Sequence, residues 1–524
     1  MKLNYKRIFC VGFAFFLICA FWQAYDTLIP KILTDKFGLS QSLSGVIMAM
    51  DNVLALFLLP FFGSLSDRHN GKRGKRTPFI LTGTILAAVL FITLSYGDYM
   101  QLNNISAVKN GDKASLSALY DQMEGKELKT PDGKAFVLSE DNKDGAISKA
   151  EFIEITPESD EHTEFVVPVR QSYAWQTTLK SPVTVIFFIG VLFLLLLSMS
   201  SFRSPAVALM PDVTIKPLRS KANAVINLMG AAGGIIVLAL GFVFGTGKAE
   251  NALMSYSPFF ITIAGIMLIS LAIFMFTVKE PQFVKEAEEE SKKYHIDEEI
   301  SADGDRKLNK KEIISLILIL ASVVFWYMGY NAVTSKYSVY AGKVLNLDYN
   351  LTLMIASGAA IISYLPVGII SSKIGRKKAI LIGVAILCAA FGAAAFMRSG
   401  SSVMFMNTLF ALAGIGWATI NVNSYPMVVE LARGGDVGKY TGIYYTASMA
   451  AQTITPIFSG FLMDIKFTVL FPYAAVCVAL SFATMLLVKH GDSRPEVKKG
   501  LEIFVQIVYF SCRKISATKA LHMG

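Results

Sequence analysis

Apolar runs of about 20 residues recur along the chain between short polar breaks, and each is long enough to cross a bilayer as a helix. Twelve can be placed: roughly 8–33, 41–66, 78–98, 182–209, 222–245 and 256–278, then 312–335, 349–371, 378–397, 402–428, 441–464 and 467–488. The pattern predicts an all-α membrane protein of twelve transmembrane helices in two six-helix pseudo-repeats. Helices 1–3 occupy 1–98, helices 4–6 occupy 182–278 and helices 7–12 occupy 312–488. Three stretches break the rhythm. Residues 99–181 form a polar insertion between helices 3 and 4. Residues 279–311 are a highly charged linker, read as a solvated tether. The basic tail 489–524 reads either as an amphipathic surface helix around 501–510 or as disordered chain.

Composition agrees with a polytopic membrane protein, because 53% of residues are hydrophobic and the mean hydropathy is +0.50. The net charge of +10 does not point to nucleic acid, since the cations cluster in short loops between apolar runs. Those loops are the 68–76 segment, Lys216/Arg219/Lys221, the linker and Arg376 with its neighbours. By the positive-inside rule they face the cytoplasm, so both termini are expected to be cytoplasmic and the insertion extracytoplasmic; the plasma membrane is the expected host. The five cysteines lack CxxC spacing and suggest neither a metal site nor a disulfide framework. The first apolar run has no small-residue cleavage site and reads as an uncleaved helix. No nucleotide loop, GxSxG elbow or HExxH motif occurs, so the chain is not expected to be an enzyme or an ATP-driven pump.

One loop organises the rest. Between the second and third runs, Gly63 precedes Asp67 by four residues, and Arg68, Lys72, Arg73, Lys75 and Arg76 follow. A shorter copy, Gly368 to Lys378, occurs about 305 residues later. The pattern G-x-x-x-D-R…G-[KR]-[KR] resembles the signature loop between helices 2 and 3 of major facilitator transporters. Two copies imply duplicated halves, with a substrate site near the midplane between them. Gating would then fall to Asp67, Arg68 and Arg76, to Asp212 at the end of helix 4, and to Arg376 and Glu430 in the second half. These pairs are expected to break and re-form as the halves rock.

Ionisable residues within a span are functional candidates, because burying charge in lipid is costly. Asp26 lies one helical turn after Trp22, and a carboxylate beside an aromatic face suits a sugar. The plainer reading is a cap near the outer end of helix 1. Helix 7 carries a similar aromatic and polar segment with Tyr330 and Asn331. Trp22, Gln23, Asp26, Tyr330, Asn331, Trp417, Asn421 and Gln452 form the candidate substrate set, although interhelical hydrogen bonds explain the neutral ones equally well. Asp51 and Arg203 are the candidate cation-coupling pair. Within the insertion, residues 140–151 fit a twelve-residue EF-hand loop with Glu140, Asn142, Asp144, Ser148 and Glu151 as oxygen ligands. Glu140 stands where Asp is usual. Ca2+ there would order the outer domain; the alternative is an acidic loop. No other cofactor is required.

The loop also resembles that of sucrose:proton symporters, D-R-x5-G-R-R-R-P-F-I, here Asp67-Arg68, five residues, then Gly74-Lys75-Arg76-Thr77-Pro78-Phe79-Ile80. Pro205 to Asp212 looks like their P-x-R-A-L-x-x-D segment, and Gln452 echoes their helix 11 glutamine. The chain is similar, more distantly, to the glycoside–pentoside–hexuronide:cation symporters. The family's helix 4 arginine falls on Val207, and Arg203 is the nearest cation, one turn earlier. The resemblance implies a monomeric secondary transporter importing a disaccharide or other glycoside with a cation, expected to be a proton. The rivals are an exporter of a drug or metabolite and a calcium-regulated sensor.

Overall fold

The computed structural model describes residues 3–490 apart from 70, 109–111, 132, 142–144, 158, 216–218, 249–250, 294–308 and 430–436. Helix α1 (Tyr5–Lys31) continues into a π turn (Ile32–Lys36), then α2 (Gln41–Arg68) and α3 (Thr77–Asn104) follow. The insertion holds α4 (Lys113–Met123), strands β1 (Glu127–Lys129), β2 (Ala135–Leu138) and β3 (Ala146–Ile147), α5 (Lys149–Glu154) and α6 (Val167–Lys180). Next come α7 (Val183–Asp212), α8 (Arg219–Phe244), α9 (Ser257–Thr277) and the linker helix α10 (Glu280–Lys293). The second half consists of α11 (Lys310–Tyr340) with its own π turn (Ala341–Leu345), α12 (Tyr349–Ile374), α13 (Arg376–Ala394), α14 (Val403–Val429), α15 (Val437–Ile465) and α16 (Leu470–Leu487).

Local chemistry explains the helix ends. The Asn4 side chain accepts from Arg7 N, and the Ser40 side chain accepts from Leu43 N, each satisfying an orphan N–H. Gly375, at φ +93°, ends α12 and lets α13 start at once, a backbone conformation that side chains rarely adopt. Both α1 and α11 close in a five-residue π turn, so the pseudo-repeat extends to an uncommon backbone feature. Among the described residues, ten helices are long and apolar enough to cross a membrane, and α12 keeps a shorter apolar stretch, Tyr349–Tyr364.

Each half has its own core. Phe21, Phe91 and Phe260 interlock in the first, with Phe91 and Phe260 centroids 4.6 Å apart. Tyr337, Phe410 and Phe471 do so in the second. The halves meet where α2 packs on α15, α8 on α12 and α1 on α11. Separately packed bodies joined along a seam can rock without unpacking either core.

The structure adds detail to the sequence reading in four places. The insertion carries a small sheet: β1 pairs antiparallel with β2, and β3 pairs parallel with β2. Helix α3 runs past 98 to Asn104, because Asp98 and Gln101 find buried partners there. The acidic loop is entered from strand β2 rather than a helix, although α5 follows it as an EF-hand requires. The linker is not wholly a tether, since α10 docks on the first half with Glu280 buried.

The insertion has a core of its own around Tyr120, Phe136, Phe152 and Val169. His162 is buried beside it, with Nε2 3.5 Å from an Arg170 nitrogen. Burial, and secondly the Arg170 charge, push the His162 pKa down from 6.5 to about 4. Folding therefore favours the neutral ring. Its contribution is full above pH 6.5 and is lost as pH falls toward 4. The expected loss is about 3 kcal/mol, at 1.36 kcal/mol per pKa unit. Thermal unfolding between pH 7 and 4 should show this slope in the wild type and a flatter one in His162→Gln.

Candidate functional site

Helix α1 turns Phe21 into its own core and leaves Trp22, Gln23 and Asp26 half-buried at the seam. The Arg203 guanidinium of α7 lies over the Trp22 ring, 5.1 Å from its centroid, a cation–π arrangement. Arg203 also interacts electrostatically with Asp26 and with Asp51 of α2. Asn52 Nδ2 donates to Asp51 Oδ1 at 2.8 Å. Val207, where the resemblance puts an arginine, is 49% exposed and lies one turn from Arg203 on α7. Two carboxylates and one guanidinium thus share a region within the first half. Tyr25 OH and Trp22 Nε1 are buried beside it without hydrogen-bond partners.

The second half supplies an aromatic wall. Tyr330 of α11 stacks on Trp417 of α14 at 3.7 Å with 2° between planes, and Tyr327 meets the same indole edge-on at 5.2 Å. Trp417 is therefore covered on one face, and Tyr330 is the ring set in front of it. Asn421 bonds the Tyr364 hydroxyl of α12. Asn331 Nδ2 is buried without a partner. Gln452 donates its amide to Ser448 O of its own helix at 3.3 Å. The Gln23 side chain lies against Gly234 of α8.

The seam differs at its two ends. At the end carrying the basic loops, a cavity of about 580 Å3 lies between Ala55, Gly63, Asp67, Arg76 and Ser204 on one side and Tyr445, Thr446 and Met449 on the other. Asp51 is one turn beyond Ala55 on α2, and Arg203 adjoins Ser204, so the cavity leads toward the charged group. At the insertion end the halves are bonded. Lys336 Nζ donates to Gln41 O at 2.8 Å, and Asp464 accepts from Gln41 N and Ser42 N at 2.6 and 2.8 Å. Asn350 Nδ2 donates to Thr246 Oγ1 at 3.2 Å, and Lys343 pairs with Asp35 at 3.5 Å. The conformation is open toward the basic loops and closed toward the insertion.

The gating candidates are brought together only in part. Arg76, buried, donates through Nε to Asp212 Oδ2 at 2.9 Å and through Nη2 to Asp67 Oδ1 at 2.5 Å. All three belong to the first half, and they are paired while the seam is open at that end. In this conformation they stay joined. Arg68 is exposed. Arg376 donates to Pro426 O at 3.4 Å within the second half. Glu430 lies outside the described residues, as do Asn142 and Asp144 of the acidic loop. Of that loop's other members, Glu140 accepts from Lys149 N at 3.0 Å, and Ser148 and Glu151 form a capping box on α5.

Sequence reasoning missed Glu280. Its carboxylate accepts from Lys75 N, Arg76 N, Thr77 N and Thr77 Oγ1 at 2.7 to 2.9 Å, capping the start of α3 and aiming Arg76. It also missed the buried lysines of the insertion end, Lys31, Lys36, Lys336 and Lys343. Their signal was a lysine pair near the end of the first apolar run of each half. Lys36 forms a fully buried ion pair with Asp98 and lies 3.8 Å from the Tyr256 ring centroid.

The profile of the Major Facilitator Superfamily matches residues 173–456 and 350–508. The chain belongs to the major facilitator superfamily. It is a multi-pass membrane transporter and not an enzyme. A second profile, described as MFS/sugar transport protein, matches residues 10–98. An uncharacterized MFS-type transporter of Methanocaldococcus jannaschii is 26% identical over 228 residues, covering 43% of this chain and 55% of that protein. The chain thus matches little more than half the length of that curated relative. The inward-open xylose transporter XylE from E. coli is similar in structure, with TM-score 0.56, 14% identity and coverage of 96% of this chain and 100% of that one. A D-xylose-proton symporter gives TM-score 0.55 at 15% identity, covering 93% and 98%. A bacterial homologue of the human drug peptide transporters PepT1 and PepT2 gives 0.56 at 11%, covering 93% and 98%. At such identities the likeness shows the fold alone.

Glu280→Ala should leave three backbone donors at the start of α3 without their carboxylate and release the loop that aims Arg76. The expected cost is about 1–3 kcal/mol, read as a lower thermal midpoint in detergent. Glu280→Gln, which keeps one acceptor oxygen, should lose less.

Proposed function

We propose that this transporter imports a sugar, a disaccharide or other glycoside, together with a cation, a proton being the ion that the buried charges suit. The observation that carries the reading is the group Trp22, Asp26, Asp51 and Arg203 on one wall with the stacked Tyr330 and Trp417 on the other. Carboxylate oxygens accept hydroxyl protons and aromatic faces cover the apolar side of a sugar ring. Two carboxylates against one guanidinium leave a formal charge of −1. In a low-dielectric span such an excess favours uptake of one compensating cation. Support also comes from the sugar-transport profile over residues 10–98, which includes Trp22 and Asp26. In this reading twelve helices span the plasma membrane, the basic loops and both termini are cytoplasmic, and the 580 Å3 cavity opens inward.

Labelled sugars should enter proteoliposomes holding the protein, and an imposed proton gradient should drive accumulation. Entry of no sugar, with movement of a cationic or apolar solute, would replace this reading with that of an exporter. Asp26→Asn should bind sugar at least tenfold more weakly while remaining folded. Arg203→Ala should equilibrate sugar without concentrating it; wild-type accumulation by this variant would remove Arg203 from coupling.

The acidic loop is proposed as a weak Ca2+ site that orders the insertion. In support, Glu140, Ser148 and Glu151 stand at ligand positions and α5 begins where an exit helix should. Calorimetric titration of the full-length protein should give a dissociation constant of about 10⁻⁴–10⁻³ M. Heat unchanged by Glu151→Gln would discard the site.

A further inference from the structure

The insertion touches both halves of the transporter, but in different ways. Toward the first half it is packed tightly. Gln101 Nε2 donates to Thr178 Oγ1 at 3.0 Å, Thr178 Oγ1 donates to Phe37 O at 2.9 Å, and Gln171 Nε2 donates to Leu39 O at 3.0 Å. Gly38, at φ +71°, lets the α1–α2 turn press on the α6 backbone; a Cβ there would fall 2.2 Å from Trp175 N. Leu102 of α3 and Leu253 of the α8–α9 connection are part of the insertion's own core. The insertion and the first half are therefore one body.

Toward the second half the contact is smaller and mixes packing with polar bonds; the π turn His162–Val166 lies against the π turn Ala341–Leu345. Lys343 donates to Gln171 Oε1, Phe467 N donates to Pro131 O at 3.0 Å, and Ser399 Oγ bonds Asp160. A cavity of about 380 Å3 lies along this contact, between Trp175, Gln171 and Thr130 on one side and Lys343, Asp464 and Phe467 on the other. Gln171 is the pivot. Its amide nitrogen holds the first half and its oxygen holds the second. Every one of these contacts lies at the closed end of the seam.

We propose that the insertion is a strap, carried by the first half and latched onto the second, that holds the transporter closed at the insertion end. Opening that end requires the Lys343, Phe467 and Ser399 contacts to break and the two π turns to part, while the packing on the first half stays. The strap biases the balance between the two seam conformations without meeting the central site.

Hydrogen–deuterium exchange on the full-length protein in nanodiscs tests this without any substrate. In Gln171→Ala, amides at 31–37 and 336–345 should exchange roughly three- to tenfold faster, the population shift expected for the loss of one or two hydrogen bonds. Amides at 55–67 and 445–449 should slow, because the basic end closes when the insertion end opens. Faster exchange confined to the insertion, or no change at either end, would overturn the proposal. A second variant guards against local unfolding. Asp160→Cys with Ser399→Cys, joined by a short thiol cross-linker, should slow exchange at 31–37 and 336–345 at least threefold relative to the unlinked protein. Equal exchange in the linked and unlinked forms would also overturn it.

Discussion

A guanidinium held within a membrane-spanning helix bundle sets conditions on everything around it. Arg203 must be paired and shielded, and α7 delivers it to an indole face and to two carboxylates from different helices. That requirement fixes the rotation of α1, α2 and α7 about their axes. Phe21 must then turn into the core while Trp22 and Asp26 turn to the seam. The partners outnumber the cation by one carboxylate, and the proposed cation uptake rests on that excess.

The seam exists because the two cores are separate. The Phe91–Phe260 contact and the Tyr337–Phe410 contact stabilise different bodies, and among the described residues no apolar cluster spans them. What joins the halves at the insertion end includes polar bonds, lysine to carbonyl, carboxylate to backbone N–H and amide to hydroxyl, beside the close packing of Gly45 on Pro456 and Gly460 on Gln41. Such bonds can exchange for water at small net cost, whereas a shared apolar core could not part so easily. Arg76, by contrast, is fastened inside the first half by Asp67 and Asp212, and Glu280 clamps its backbone. It stiffens a body rather than joining two, which is why it stays paired while the cavity beside it is open.

The fold was legible along the chain because lipid imposes a simple rule: a span must be long, apolar and internally hydrogen-bonded. Most helix limits fell within a few residues of the apolar runs, α3 and α11 running on to Asn104 and Tyr340, and the two basic loops marked the duplication. Asp26, Asp51 and Arg203 were legible for the same reason, since charge inside an apolar run stands out. The roles of Gln452 and Trp417 were not. Whether an amide reaches across the seam or bonds its own helix, and whether an indole face is free or covered, depends on neighbours hundreds of residues away.

The chain by itself thus determined the class, the duplication and the costly charges, because each follows from hydropathy at single positions. Tertiary structure alone decided which charges meet. It placed Glu280, distant in sequence, at the start of α3, and it buried Lys36 against Asp98. It also turned a polar stretch between helices 3 and 4 into a domain resting on both halves. Those outcomes depend on the relative placement of helices, which long-range packing sets and no local pattern encodes.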